Sequence, residues 1–309
     1  MPIMLLPLHT SHKAGRIRPS LRIAIPITML ILVWFFTQYC ELPSFDEYAD
    51  TAIDLHEGEE MPTPTLHLIG DSSMCRGGTN NGEKGVKYEG WGEFVKDYVT
   101  IPVIDHAVSG RSCRMYDREG RFDKVLARAN RGDYVLIQFG RNEKGDLKKR
   151  DNGKTVCSGP EIDKTCDSVF EGHNVTVLTF GGYIANATQA FKERGVSVII
   201  VAPTTNNPYS SSGTFWDAPT EWVRYSQLVA EHEAVTYVDH FAYGIDLMRR
   251  LGQEETQKLY PVRTDRSHTN PVGADMMARA FMRGLLCTES GLTQYVNETA
   301  AERISGKCT

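Results

Sequence analysis

The 309-residue chain is 41% hydrophobic and 24% charged, with a formal net charge of −5 at pH 7. Its apolar side chains suffice for at least one large core, which excludes an intrinsically disordered protein. Four basic and eight acidic residues precede residue 61, so residues 61–309 carry a net charge of only −1, and nothing in the charge indicates a nucleic-acid partner.

Residues 1–22 form a basic leader that runs into the apolar stretch IAIPITMLILVWFF. The apolar core is shorter than the roughly 20 residues that span a typical bilayer. A cleavable signal peptide usually ends in small residues, which the following FTQYCEL lacks. We therefore expect an uncleaved signal anchor over residues 23–39 in a single-pass type II membrane protein, with the leader in the cytoplasm; secretion is the alternative.

An acidic segment separates this anchor from the rest of the chain. Residues 41–60 hold eight acidic side chains and no Lys or Arg, and MPTPT follows. Residues 40–64 are therefore predicted to be a solvated stem, and residues 65–309 a single domain.

Within this domain, short β-branched runs alternate with longer helical patterns, which is typical of β-α-β units. The predicted strands are residues 65–69, 101–105, 133–139, 196–202 and 235–239. The predicted helices are residues 91–99, 121–130, 183–195, 220–233 and a last one that starts at the N-cap Asn270 and Pro271. We expect a three-layer α/β/α fold around a five-stranded, mainly parallel sheet.

Polar residues with catalytic potential follow the predicted strands. Ser72 lies in GDSS after the first strand, and Asp265 and His268 lie three residues apart before the last helix. A serine nucleophile needs a base, an acid that orients the base, and donors for the oxyanion. Gly110 in HAVSGRS and Asn142 in FGRNE follow two further strands and could supply these donors.

Each of these residues also has a simpler interpretation. Ser72 could be a turn residue, His268 a surface or capping histidine, and Gly110 and Asn142 ordinary loop residues. His106 and His240 also follow strands and are rival bases, but neither has the D-x-x-H arrangement. Four signals in order at successive strand ends favour the catalytic interpretation.

No other motif in the sequence predicts a cofactor or a metal site. DNGKT ends like a phosphate loop, but Lys148 stands where the first glycine should be. No second histidine completes a zinc helix and no C-x-x-C occurs, so we expect no metal.

With these blocks the sequence resembles the SGNH hydrolases, and more narrowly the rhamnogalacturonan acetylesterases. The resemblance runs from Leu66 to Cys308 through GDSSM, GWGEF, HAVSGRSCRMYDREGRF, NNPYSSSGTF, YVDHF and DRSHTNPVGA. It implies a flavodoxin-like fold and a Ser72, His268 and Asp265 triad. It also implies an oxyanion hole made by the Ser72 amide, Gly110 and Asn142.

The chain departs from the family pattern beside the oxyanion asparagine. Arg141 stands where the family usually has histidine, and Glu143 replaces an aspartate. We expect both to border the substrate cleft, where Arg141 could bind a uronate carboxylate. Arg111 and Trp91 are the other predicted substrate contacts.

The cysteines and sequons indicate an oxidising compartment. Cys157 and Cys166 bracket a short loop, and Cys287 and Cys308 bracket the C-terminal tail; both pairs could be disulfides or buried thiols, and the resemblance implies disulfides. Whether Cys75 pairs with Cys113 is open. Three N-x-T sequons, at Asn174, Asn186 and Asn297, predict glycosylation.

Together these features predict a serine carbohydrate esterase that removes O-acetyl groups from an acidic, rhamnogalacturonan-like polysaccharide. We expect it to act as a monomer without a cofactor, in the lumen or outside the cell. The alternatives are a secretory-pathway glycan O-acetyltransferase and a glycan-binding pseudoenzyme.

Overall fold

The computed structural model describes residues 62–80, 82–301, 304 and 306–308, and residues from Pro62 onward form one compact unit. The predicted leader and anchor, and nearly all of the stem, lie outside the described residues. No helix in the described part of the chain is long and apolar enough to cross a membrane.

Seven strands occur among the described residues: β1 Leu66–Gly70, β2 Val103–Asp105, β3 Tyr134–Gln138, β4 Thr165–Phe170, β5 His173–Leu178, β6 Ser197–Val201 and β7 Thr236–Val238. Five of them form one sheet in the order β2-β1-β3-β6-β7, with every neighbouring pair parallel. This is the strand order of a flavodoxin-like sheet. The predicted strands and fold class are confirmed.

Helices cover both faces of this sheet. They are α1 Gly92–Val95, α2 Cys113–Arg118, α3 Arg121–Leu126, α4 Phe180–Glu193, α5 Glu221–Glu233, α6 His240–Lys258, α7 Pro271–Leu286 and α8 Glu298–Ala301, with a 3₁₀ turn at Gly291–Tyr295. Leu68 of β1 packs into a core with Phe281 of α7, whereas Ile69 packs on the opposite face with Phe180 of α4. Because successive strand side chains alternate between two cores, the fold has three layers.

Sequence patterns did not predict the antiparallel β4–β5 hairpin or the long helix α6. The hairpin is largely exposed, so it lacks the apolar alternation that marks a half-buried strand. Its turn uses Glu171 and Gly172, both with positive φ, without the Asn-Gly or Asp-Gly pair that usually signals such a turn.

Both predicted disulfides are confirmed. Cys157–Cys166 joins the loop after β3 to strand β4, and Cys287–Cys308 joins the end of α7 to the tail. Cys75 is a buried free thiol that donates to the Gly78 carbonyl at 2.9 Å, and Cys113 is also free and buried, so these two do not pair.

The three sequon asparagines lie at the surface. Asn174 on β5 and Asn186 on α4 are exposed, and Asn297 is half-buried just before α8. Enzymes could reach these positions, and glycosylation stays a prediction.

Candidate active site

A cleft of about 440 Å³ lies at the carboxyl edge of the sheet, beside the neighbouring strands β1 and β3 where the strand order reverses. Ser72 follows β1, Gly110 follows β2, Asn142 follows β3, and Asp265 and His268 precede α7. All five residues line the cleft. Residues up to 196 positions apart therefore meet in one site.

Ser72, His268 and Asp265 form a continuous hydrogen-bonded chain. Ser72 Oγ lies 2.8 Å from His268 Nε2, and His268 Nδ1 lies 2.7 Å from Asp265 Oδ2. The His268 and Asp265 side chains are only 21% and 25% exposed, respectively. In this geometry the imidazole can accept the serine proton while the carboxylate holds its other nitrogen.

The short loop before α7 positions the acid and the base. Asp265 Oδ1 accepts hydrogen bonds from the Ser267 and His268 amides at 2.9 and 3.1 Å, and Asn270 caps α7 through the Gly273 amide. Burial alone would raise the pKa of Asp265, but the hydrogen bonds from the Ser267 amide and the His268 ring outweigh it, so the pKa is lowered. Asp265 is therefore held in its ionised form.

Gly110 and Asn142 form the opposite side of the cleft. Gly110 has φ of +76°, a left-handed conformation that favours glycine. A Cβ at Gly110 would meet only Lys154 Nζ, at 3.8 Å, so backbone conformation and not lack of space favours glycine here. Asn142 Nδ2 donates to the Arg111 carbonyl at 3.0 Å, and an amide nitrogen has a second hydrogen to offer to the cleft.

Glu143 supports this side from beneath and does not border the cleft, so that prediction is wrong. Its side chain is buried, with the residue 1% exposed, and it accepts hydrogen bonds from the Asn142 amide at 2.7 Å and the Cys113 amide at 3.1 Å. Burial raises the pKa of Glu143 to about 8, and the Asp71 carboxylate adds to the increase. Glu143 thus ties the loop after β3 to the start of α2.

One of the three predicted substrate contacts, Trp91, is wrong, and a second, Arg111, stays a prediction. Trp91 is 1% exposed, donates to Gln138 Oε1 at 2.9 Å and packs against Phe281, so it belongs to the core. Arg111 pairs with Glu119 at 3.1 Å and does not line the cleft. The sequence does not show whether the side chain of an aromatic or basic residue near a catalytic block points into the cleft or into the core.

Arg141 does line the cleft, but its guanidinium is engaged by the loop after β6. Nη1 donates to Asn206 Oδ1, and Nη2 donates to the Thr204 carbonyl and, at 2.9 Å, to Thr204 Oγ1. Arg141 therefore shapes the floor of the cleft, and its predicted contact with a uronate would require it to leave these partners.

The rival histidines lie away from the cleft. His106 stacks on His67, and His240 bonds to Gln138 and to the Met277 carbonyl. Burial lowers the pKa of each rival to about 4. Neither contacts Ser72, which leaves His268 as the base in reach of this hydroxyl.

The α/β/α fold and the hydrogen-bonded serine, histidine and aspartate at its carboxyl edge define a class of ester hydrolase. Residues 66–281 match the GDSL-like lipase/acylhydrolase family. The chain belongs to this family and is a carboxylic ester hydrolase, as the sequence resemblance predicts.

Individual relatives carry a narrower description. The rhamnogalacturonan acetylesterase of Emericella nidulans is 39% identical over 235 residues, which cover 76% of this chain and 90% of that relative. A probable rhamnogalacturonan acetylesterase of Bacillus subtilis is 23% identical, covering 71% of this chain and 91% of the relative.

A solved structure of another Bacillus subtilis protein has the same fold. It superposes with a TM-score of 0.54 at 22% identity and covers 72% of this chain and 56% of that protein.

Proposed function

We propose that this protein is a serine carbohydrate esterase that removes O-acetyl groups from an acidic, rhamnogalacturonan-like polysaccharide. The observation that carries the proposal is the chain of hydrogen bonds from Ser72 through His268 to Asp265, which faces Gly110 and Asn142 across one cleft. The relative from Emericella nidulans supports the choice of substrate.

In the first half-reaction, Ser72 Oγ attacks the acetyl carbonyl carbon while His268 Nε2 takes the serine proton. The carbonyl oxygen becomes an oxyanion that accepts hydrogen bonds from the Ser72 and Gly110 amides and from Asn142 Nδ2. Collapse of this intermediate breaks the bond to the sugar oxygen, which leaves as a hydroxyl with the proton from His268. The acetyl group stays on Ser72.

In the second half-reaction, His268 removes a proton from water, and the resulting hydroxide attacks the acetyl carbon. The oxyanion forms again in the same place, and its collapse returns the proton from His268 to Ser72 and releases acetic acid, which ionises to acetate in solution. Asp265 stabilises the imidazolium that exists between these steps.

The charges around the cleft support an acidic substrate. Arg141, Lys144 and Lys154 line it, whereas Asp265 is the one carboxylate among its lining residues. A cleft of one predominant sign raises the local concentration of oppositely charged ligands.

Acetate release tests the proposal. The full chain and its Ser72→Ala variant, both shown to be folded, would be incubated with acetylated rhamnogalacturonan and with a panel of other acetylated polysaccharides. We expect acetate from the unmodified protein alone. Equal release by both proteins would refute the serine mechanism, whereas release by neither would refute the esterase proposal. Transfer of acetyl to an added glycan without hydrolysis would favour the transferase.

We also propose that residues 23–39 anchor the protein in a membrane with the esterase domain outside the cytoplasm. Two disulfides and three surface sequons support an oxidising, glycosylating compartment. Retention of the N-terminus and resistance to alkaline carbonate extraction are expected. A mature N-terminus beyond residue 40, with release into the medium, would instead indicate a signal peptide.

A further inference from the structure

One cation in the cleft differs from the other two in its partners. Arg141 is held by Thr204 and Asn206, and Lys144 is 68% exposed and lies 3.4 Å from Glu221. Lys154 is half-buried, and its ammonium has no ion pair or hydrogen bond within the described part of the chain. It is therefore a positive charge in the cleft that no carboxylate of the described residues pairs with.

The position of Lys154 places this charge beside the reacting atoms. Its Nζ would lie 3.8 Å from a Cβ at Gly110, whose amide is a proposed oxyanion donor. A substrate acetyl group bound between Ser72 and Gly110 would therefore bring its own sugar residue, or the next one, within reach of the ammonium.

The motif DNGKT, which gives no phosphate loop, builds the turn that presents this lysine. Asn152 Oδ1 accepts hydrogen bonds from the Lys154 and Thr155 amides, both at 2.9 Å. Gly153 adopts φ of +70°, which suits glycine. The backbone on either side of Lys154 is thus fixed before any ligand binds.

A buried ion pair holds the turn in place. Arg114 donates to both carboxylate oxygens of Asp151 at 2.8 and 2.7 Å, and their side chains are 4% and 0% exposed. Arg114 also donates to the Thr155 carbonyl at 2.7 Å. The Cys157–Cys166 disulfide closes the segment two residues further on. A preorganised backbone lowers the entropy lost on binding.

We propose that Lys154 binds a substrate carboxylate, that of a uronate at or next to the acetylated sugar, and so selects acidic over neutral acetylated glycans. This inference rests on the proposed function and names the residue that gives it its substrate class. An ammonium donates charge-assisted hydrogen bonds to a carboxylate and, unlike a guanidinium, requires no fixed planar approach. Lys154 would thus make the contact with the uronate carboxylate that the sequence predicted for Arg141.

Steady-state kinetics of Lys154→Gln on two substrates test the proposal. The acidic substrate is acetylated polygalacturonate and the neutral one is acetylated xylan. We expect KM on the acidic substrate to rise about tenfold more than KM on the neutral one, with kcat changing much less. Lys154→Arg should recover most of the loss. The difference should shrink in 0.5 M NaCl, because salt screens a partly exposed pair.

Lys149→Gln is the matched control, because Lys149 lies in the same loop, is 85% exposed and does not line the cleft. It removes the same charge and should leave the preference for the acidic substrate as it is. If Lys154→Gln lowers kcat equally on both substrates, Lys154 acts on the oxyanion or on the fold, and the proposal is wrong. An unchanged preference in Lys154→Gln would also overturn it.

Binding without turnover separates this inference from the proposed function. Trigalacturonate would be titrated into the full-length Ser72→Ala protein with and without Lys154→Gln, using calorimetry. We expect binding to weaken about tenfold when Lys154 is replaced. Equal affinities would refute the role of Lys154 even if acetate is released, whereas a loss of affinity would stand even if no hydrolysis were found.

Discussion

The two sides of the cleft are built differently. On one side, hydrogen bonds join the buried Ser72 to His268 and Asp265, whose side chains are partly exposed. On the other, Gly110 and Asn142 depend on backbone conformation and on the buried carboxylate of Glu143. Substitutions on the triad side should therefore change the chemistry with little change in stability, whereas those on the oxyanion side should change both.

The largest expected effect is on the triad side. Ser72→Ala should lower turnover of 4-nitrophenyl acetate by about 10⁵-fold or more, because nucleophile and base act as one unit. The free energy of unfolding should stay within about 1 kcal/mol, the usual contribution of one hydrogen bond. Denaturant titration checks the second value, and the exposed Ser212→Ala is the control. A large loss of stability in Ser72→Ala would contradict the distinction between the two sides.

Asp265→Asn should rank second, with a loss of about 10⁴-fold in kcat, because an amide can favour the wrong tautomer of His268. Asn retains an oxygen that can accept from the Ser267 and His268 amides, so the loop should persist. Kinetics at several pH values would measure the loss. Near-normal turnover would show that another group orients the imidazole.

Asn142→Ala should lower kcat by about 10²- to 10³-fold, the usual cost of one oxyanion donor. It also leaves the Arg111 carbonyl without the 3.0 Å hydrogen bond from Asn142, so a modest fall in stability should accompany it. Turnover and the melting temperature would be measured on the same preparation. An unchanged kcat would remove Asn142 from the oxyanion hole.

Glu143→Gln should have a smaller effect on turnover and a clearer one on stability. Above about pH 8, where Glu143 is ionised, the amide group of Gln offers one acceptor in place of two, so either the Asn142 or the Cys113 amide loses its partner. We expect the free energy of unfolding to fall by about 1–3 kcal/mol, as for an unsatisfied buried donor. Unchanged stability would show that neither hydrogen bond matters.

The last expected difference between the two sides is in how their stability depends on pH. The pKa of Glu143 is raised from 4.5 to about 8, so its contribution to stability is present below pH 4.5 and is lost as pH rises through about 8. The pKa of Asp265 is lowered below 3.8, so its contribution is present above that pH and is lost as pH falls through the lowered value. The free energy of unfolding would be measured against pH for both variants. Glu143→Gln should remove a fall in this free energy between pH 4.5 and about 8, and Asp265→Asn should remove a rise with pH below 3.8.

The sequence predicted the triad side well because each part is a short motif whose geometry is set within a few residues. GDSS directly follows β1, and D-x-x-H lies in the loop between α6 and α7, just before the N-cap of α7. Glu143 was misjudged because its burial depends on the Cys113 amide, which is 30 residues away in sequence. Trp91 was misjudged because its burial also depends on a distant partner, Phe281, and a core tryptophan cannot be told from a sugar-stacking one by sequence.

The loop that carries Lys154 was beyond sequence reasoning for a different physical reason. Its turn depends on a buried ion pair between residues 37 positions apart, Arg114 and Asp151. Arg114 belongs to the HAVSGRSCRMYDREGRF block and Asp151 to no block, but each alone resembles an ordinary surface charge. Only the fold buries this pair and places Lys154 in the lining of the cleft.

Covalent labelling tests the role of Ser72 most directly. An activated serine oxygen attacks the phosphorus of a fluorophosphonate and displaces fluoride, which leaves the serine covalently labelled. The protein would be treated with this probe and digested, and the labelled peptide would be mapped by mass spectrometry. We predict that the label lies on Ser72 and is nearly abolished in His268→Ala, whose folding is checked separately. A label on another serine, or equal labelling of Ser72 without His268, would contradict a nucleophile activated by this triad.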